Sequence, residues 1–209
     1  DHIYNSDYIF SFAHVKGHNA TGMGGASKNF GMGGVTKETK RRMHHGSRPE
    51  HKVDECTYCG VCAEVCPFGD IKVDKEKEKW SHNKNCFGCG VCVNTCEHDA
   101  LKFQDADFQY VLACAAKACL ENKKVIYLND INRIAKLCDC HPSPGPIICP
   151  DIGYLVSDDP VAIDKASIDL VHDIKPDIFE KENNVNPLKQ INYGEEIGLG
   201  SSKYQLIEI

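Results

Sequence analysis

Eight of the thirteen cysteines in this chain stand in two copies of one spacing. The first copy is Cys56-Thr-Tyr-Cys59-Gly-Val-Cys62-Ala-Glu-Val-Cys66-Pro67, and the second is Cys86-Phe-Gly-Cys89-Gly-Val-Cys92-Val-Asn-Thr-Cys96. Both read C-x2-C-x2-C-x3-C, the spacing that wraps a 4Fe-4S cube. Three thiolates on one tight loop reach three irons of a cube, but the chain cannot turn back soon enough for its own fourth cysteine. The last cysteine of each run therefore serves the other cube. The spacing predicts one cluster on Cys56, Cys59, Cys62 and Cys96, and a second on Cys86, Cys89, Cys92 and Cys66. A zinc ribbon would instead pair one C-x2-C with another. Gly60, Gly88 and Gly90 are expected to keep bulk away from the sulfurs and to permit positive φ.

The segment 52–103 resembles a bacterial two-cluster ferredoxin. It departs in one place: Pro67 follows the first run, but Glu97 stands where the second run should have its proline. An acidic group there either lowers the potential of the neighbouring cluster or simply faces water.

The 209 residues suffice for one substantial core plus a small inserted module. Hydrophobic residues make up 42% and charged residues 26%, which is the balance of a globular protein. No run approaches the length of a membrane-spanning helix, and no basic-then-apolar leader pattern is present. With eight cysteines assigned to clusters that assemble in a reducing compartment, the expectation is a cytoplasmic protein of an anaerobic host. The abrupt entry into Tyr8-Ile-Phe-Ser-Phe-Ala, without a Met at position 1, leads us to expect the C-terminal part of a longer polypeptide, with an upstream half or a partner subunit. Charge is uneven: +4 over residues 1–49, −3 over 50–104 and −7 over 105–209. A basic head beside two acidic segments argues against a nucleic-acid partner, whose basic patch should dominate. A local anion site and an accident of the surface both fit it.

Alternating strand and helix patterns predict a mixed α/β domain with the ferredoxin module inserted in it. The first part is 1–49, the module 50–104, and the remainder 105–209. Residues 8–16 read as an apolar strand, 107–122 as an Ala-rich helix, 124–129 and 152–156 as strands, and 161–172 as a helix capped by Ser157 or Asp158 with Pro160 in its first turn. Residues 175–209, polar and punctuated by Pro and Gly, read as an extended tail. Between residues 17 and 34 seven of eighteen residues are glycine, so the backbone there must pass close to something. Lys28 near the end of that stretch offers charge beside bare N–H groups, which suits phosphate or carboxylate. It is not a P-loop, because Asn29 follows the lysine, nor a dinucleotide fingerprint.

Outside the clusters, the chain resembles a prokaryotic family of unassigned function whose α/β domain carries an inserted two-cluster ferredoxin. The matching pieces are His14-Val-Lys-Gly-His18, Gly24-Gly-Ala-Ser-Lys28-Asn-Phe-Gly-Met-Gly33, Cys138-Asp-Cys140-His-Pro142, Asp159-Pro-Val-Ala-Ile-Asp164 and Gly198-Leu-Gly-Ser. The glycine-rich stretch is also similar to the active-site loop of nickel-pincer lactate racemases. That likeness implies proton transfer by His18, a cofactor on Lys28 and a nickel ligand at His44, with Gly33 matching; the backbone N–H groups of the turn with Gly22, Gly24 and Gly25 are expected to face the same bound anion or cofactor as Lys28. The proline of that family is Met32 here.

Cys138, Cys140 and His141 form a further candidate metal set for zinc, iron or nickel, with Cys149 near in sequence, and His14 or His18 could replace His141 if the loops converge at the strand ends. The same cysteines read equally as a reduced structural loop. Cys114 and Cys119 are expected in the core. Asp159 reads as a capping or first-turn carboxylate that complements the helix dipole, Asp164 as an acid or base facing a pocket, and Trp80 as a cap over the module. Together these predict an iron–sulfur oxidoreductase or its electron-input subunit, acting with a redox partner protein. The alternatives are an electron carrier or scaffold docked on a larger enzyme, and a racemase-like non-redox enzyme with structural clusters.

Overall fold

The computed structural model describes residues 2–209, and the chain divides into two compact units. One unit combines the segment up to Thr36 with Gln109–Ile209, and the other is Lys37–Phe108. The basic run Lys37–Gly46 is a helix of the second unit, so the boundary falls at Lys37 rather than at residue 50.

The first unit is built on a three-stranded sheet. Tyr8–His14 pairs in parallel with Lys124–Asp130, from Tyr8 opposite Lys124 to His14 opposite Asp130, and Tyr154–Ser157 adds antiparallel to the far side of Lys124–Asp130. One face is buried: Val125 and Tyr127 belong to a core with Phe30, Ala116 and Ile163, and Ile9 packs against it. The other face carries Tyr8, Phe10, Phe12, Ile126, Tyr154 and Val156, all exposed within this chain. Strands apolar on both faces are the pattern of a sheet covered on both sides, so this face is an unusually large apolar surface.

The expected elements appear with small shifts. The Ala-rich helix is Phe108–Leu120, and the later helix is Pro160–Ile174 with Asp159, not Ser157 or Asp158, as its cap. The Asp159 carboxylate accepts from the N–H groups of Val161 and Ala162 at 2.8 and 2.9 Å, and Pro160 at the first position sacrifices no needed donor. The reading of residues 175–209 as an extended tail needs correction. Ile178–Asn183 and Leu188–Glu196 are helices, and Phe179 and Ile191 enter the same core as Val15, Ile134 and Ile168. Prolines and glycines mark the ends of these short helices, which the polar composition between them concealed. Residues 197–209 carry no helix or strand.

The second unit repeats one small motif. Each cysteine loop turns through a left-handed glycine, Gly60 (φ 92°) or Gly90 (φ 77°), into a four-residue helix, Val61–Glu64 or Val91–Asn94. Each is followed by a strand, Ile71–Asp74 or Leu101–Phe103. The first pairs antiparallel with Lys79–His82 and the second with Pro49–His51. Ile71, Cys92 and Leu101 form the buried centre, with Cys62, Cys66, Cys96 and Trp80 packed against it.

Candidate functional site

In the cysteine-rich unit, thiols from both runs converge. Cys56, Cys59, Cys62 and Cys96 line one cavity of roughly 230 Å³, with Trp80, Leu101 and Val73 among its walls and Glu97 and His98 at its edge. That is far more space than one or two waters need. Burial pushes the Cys62 thiol up, the Trp80 indole pulls it back, and Cys59, Cys56 and Cys96 push with burial. The remaining four thiols act on one another in the same way. Burial pushes Cys89 up to about 12, with the charges of Cys66 and Cys86 adding to it. Burial holds Cys92 well above the usual thiol range, helped by Cys89, Cys86 and Cys66. Gly88 also takes positive φ, 73°, and a methyl group there would lie 1.8 Å from the carbonyl oxygen of His44. Backbone N–H groups of Tyr58 and Asp70 donate to the sulfurs of Cys56 and Cys66 at 3.4 and 3.3 Å. Thiols with such raised values stay protonated unless a cation takes them as thiolates. Four thiols around one cavity, with backbone N–H groups aimed at the sulfurs of Cys56 and Cys66, are a donor set that fits an iron–sulfur group. Glu97 is exposed.

In the α/β unit, the structure brings together segments more than a hundred residues apart. His18 ends the Lys16–His18 strand, Lys28 ends the short helix Ala26–Lys28, and Cys138 and Cys140 sit on the loop after Ile134. Ligand-type atoms of His18, Cys138 and Cys140 all lie within 4.8 Å of one another. Cys138 and Cys140 are joined by a disulfide. Lys28 Nζ lies 3.7 Å from Cys138 Sγ. Burial lowers the Lys28 ammonium to about 8, although Asp139 pulls upward. Lys16, itself buried, forms a 2.5 Å ion pair with exposed Asp139 between the two cysteines. His14 contacts the Asn132 carbonyl through Nε2 at 2.6 Å.

Other expected members stand elsewhere. The His141 ring engages the carbonyl of Ser143 in its own turn, and Cys149 is a free thiol inside the core. Cys114 and Cys119 are half-buried, Cys119 against the core. His44 belongs to the other unit, its ring 4.2 Å from that of Phe87 and 4.5 Å from that of Phe108. Asp164 is fully buried and accepts from Ala26 N, Ser27 N and Asn129 Nδ2 at 2.7, 2.8 and 3.0 Å. Desolvation raises its carboxyl while these donors lower it. It holds the first turn of the helix that carries Lys28, a role invisible in the sequence because its partners lie about 140 residues away.

The glycines are explained by the chain's approach to itself. A methyl group at Gly25 would lie 2.3 Å from Asp164 Oδ1, one at Gly22 (φ 71°) 2.7 Å from the Val185 carbonyl, and one at Gly24 3.2 Å from the Lys28 stem. Gly33 is exposed with open space beside it.

Residues 1–169 match the family described as "Domain of unknown function (DUF362)". The chain belongs to this family. Among curated proteins it is similar to an uncharacterized ferredoxin of Methanocaldococcus jannaschii, 65% identical over 23 residues. That stretch is 11% of this DUF362 chain and 37% of the relative, so the chain spans well under half of the ferredoxin's length. No solved structure matches the chain significantly. Among the described residues, no helix is long and apolar enough to cross a membrane.

Proposed function

We propose that this DUF362 chain carries electrons through two 4Fe-4S clusters, one on Cys56, Cys59, Cys62 and Cys96 and one on Cys86, Cys89, Cys92 and Cys66. The observation that supports this best is the open space lined by three thiols of the first run and the last thiol of the second. Such clusters supply one-electron transfer, with potentials set by hydrogen bonds to sulfur and by solvent exposure. The chain's own residues do the remainder. Gly60 and Gly90 turn the two loops, Tyr58 and Asp70 donate backbone N–H groups to sulfur, and Trp80 walls off water. The similarity to a relative named as a ferredoxin points the same way.

The finer reading is an oxidoreductase, or its electron-input subunit, working in a reducing cytoplasm with a redox partner. The bare apolar face of Tyr8, Phe10, Phe12, Ile126, Tyr154 and Val156 is where an upstream half or a partner subunit would pack. Racemase-like nickel chemistry is not part of the proposal, because neither the family nor the relative that this chain matches supports it. Metal and sulfide analysis of anaerobically purified protein tests the proposal. Two cubes give about eight iron and eight acid-labile sulfide per chain. One zinc per run with no sulfide overturns it.

A further inference from the structure

The Cys138–Cys140 disulfide has an asymmetric setting. The Cys140 residue is exposed, whereas Cys138 is the more buried of the two and faces Lys28 Nζ at 3.7 Å. The ion pair of Lys16 with Asp139 pins the residue between them, so the turn is held from the strand side. His18 completes the surroundings, within 4.8 Å of both sulfurs.

Ala20 N and Thr21 Oγ1 both lie 3.1 Å from Nδ1 of His18, which fixes the ring in the turn beside the two sulfurs. An imidazole placed there can give a hydrogen bond or a proton to sulfur.

We propose that Cys138 and Cys140 are a reversible thiol–disulfide couple that exchanges with a dithiol or disulfide substrate, with Lys28 and His18 stabilising the thiolate that leaves. In the reducing direction, one thiolate of a dithiol attacks the exposed Cys140 Sγ. The bond between Cys138 and Cys140 breaks, and its electron pair stays on Cys138 Sγ beside the Lys28 ammonium. The second thiolate of the dithiol then attacks the substrate sulfur of the mixed disulfide. The substrate closes its own disulfide and Cys140 leaves as a thiolate. Cys138 takes a proton from Lys28, which regains one from solvent, and Cys140 takes one from solvent. With the two protons that the dithiol released, two electrons and two protons have passed from the dithiol to the chain. Oxidation is the same sequence reversed. A leaving thiolate held next to a cation leaves faster and is easier to form. This activity is additional to the electron-carrying role and does not rest on the clusters.

The test uses the full chain under anaerobic conditions, equilibrated with graded ratios of reduced to oxidised dithiothreitol. Free thiols are trapped with iodoacetamide and the peptide holding Cys138 and Cys140 is weighed by mass spectrometry. The expected result is one two-electron transition, from no label to two labels, without a one-label plateau. Lys28→Gln should need a reduced-to-oxidised ratio about tenfold higher, and Lys28→Arg should recover most of that shift. Two labels at every ratio, or none at every ratio, overturns the proposal. So does one equivalent of added zinc that protects the reduced peptide from alkylation. Iron analysis of the same samples keeps the two readings apart. An intact transition in a chain without iron removes the cluster proposal alone, and a missing transition in a chain with full iron removes this one alone.

Discussion

The cysteine-rich unit and the α/β unit each gather sulfur and polar groups at one place, but they do so by opposite routes. In the former, every thiol belongs to one of two short runs repeated thirty residues apart, and left-handed glycines repeat with them. In the latter, His18, Lys28 and the Cys138 loop come from distant segments, held by Asp164 and the Lys16–Asp139 pair. A site written in local spacing needs little surrounding fold to define it. A site assembled by packing depends on distant parts of the core, and single substitutions far from it should damage it.

The largest effect expected lies in the cysteine-rich unit. Cys56→Ala and Cys96→Ala should each remove the same half of the iron and the same reduced-state paramagnetic signal, whereas Cys86→Ala and Cys66→Ala remove the other half. If Cys56→Ala and Cys66→Ala abolish one and the same signal, ligand sharing between the runs is wrong and the unit is two independent loops.

Next in size is Phe179→Ala, in the helix that the sequence conceals. Phe179 has no exposed surface, so its truncation should cost about 3–5 kcal/mol in urea unfolding. The same change should loosen the Cys138 loop through the shared core while leaving cluster absorbance intact. A loss below about 1 kcal/mol would mean that residues 175–209 contribute little to the core.

Asp159→Ala should cost about 1–2 kcal/mol, because the carboxylate caps the Pro160–Ile174 helix and also accepts from Ser201 N at 2.8 Å. Thermal unfolding measures it, and an unchanged midpoint would show that water replaces the cap.

The smallest effect is chemical rather than structural. With its ammonium lowered to about 8 by burial, Lys28 should react with an amine-acylating reagent at half-maximal rate near pH 8. Surface lysines follow at about 10.4. The sign is set by desolvation, which favours the neutral amine. Lys28 titrating together with the exposed lysines would place it in water and sever it from the cysteine loop.

Much of the fold was legible because its signals are local. The Tyr8–His14 and Lys124–Asp130 strands, the Ala-rich helix and the two cysteine loops each announce themselves within a dozen residues. The helices Ile178–Asn183 and Leu188–Glu196 did not. At six and nine residues they are shorter than the window of about 11–18 residues over which helical periodicity is read, and burial of Phe179 and Ile191 rather than propensity holds them. Asp164 showed a carboxylate one turn into a helix and nothing of the N–H groups it meets.

The sequence by itself determined the spacing of eight thiols, the turns that present them and the mixed α/β class, because backbone sterics and ligand geometry act over a few residues. Only the tertiary structure decided that His18, rather than His141, stands with Cys138 and Cys140, and that Lys28 faces sulfur rather than solvent. The same holds for the glycines, which make room for Asp164, Val185 and the Lys28 stem. Those outcomes depend on which distant segments share a core, and close packing settles that only once the whole chain has folded.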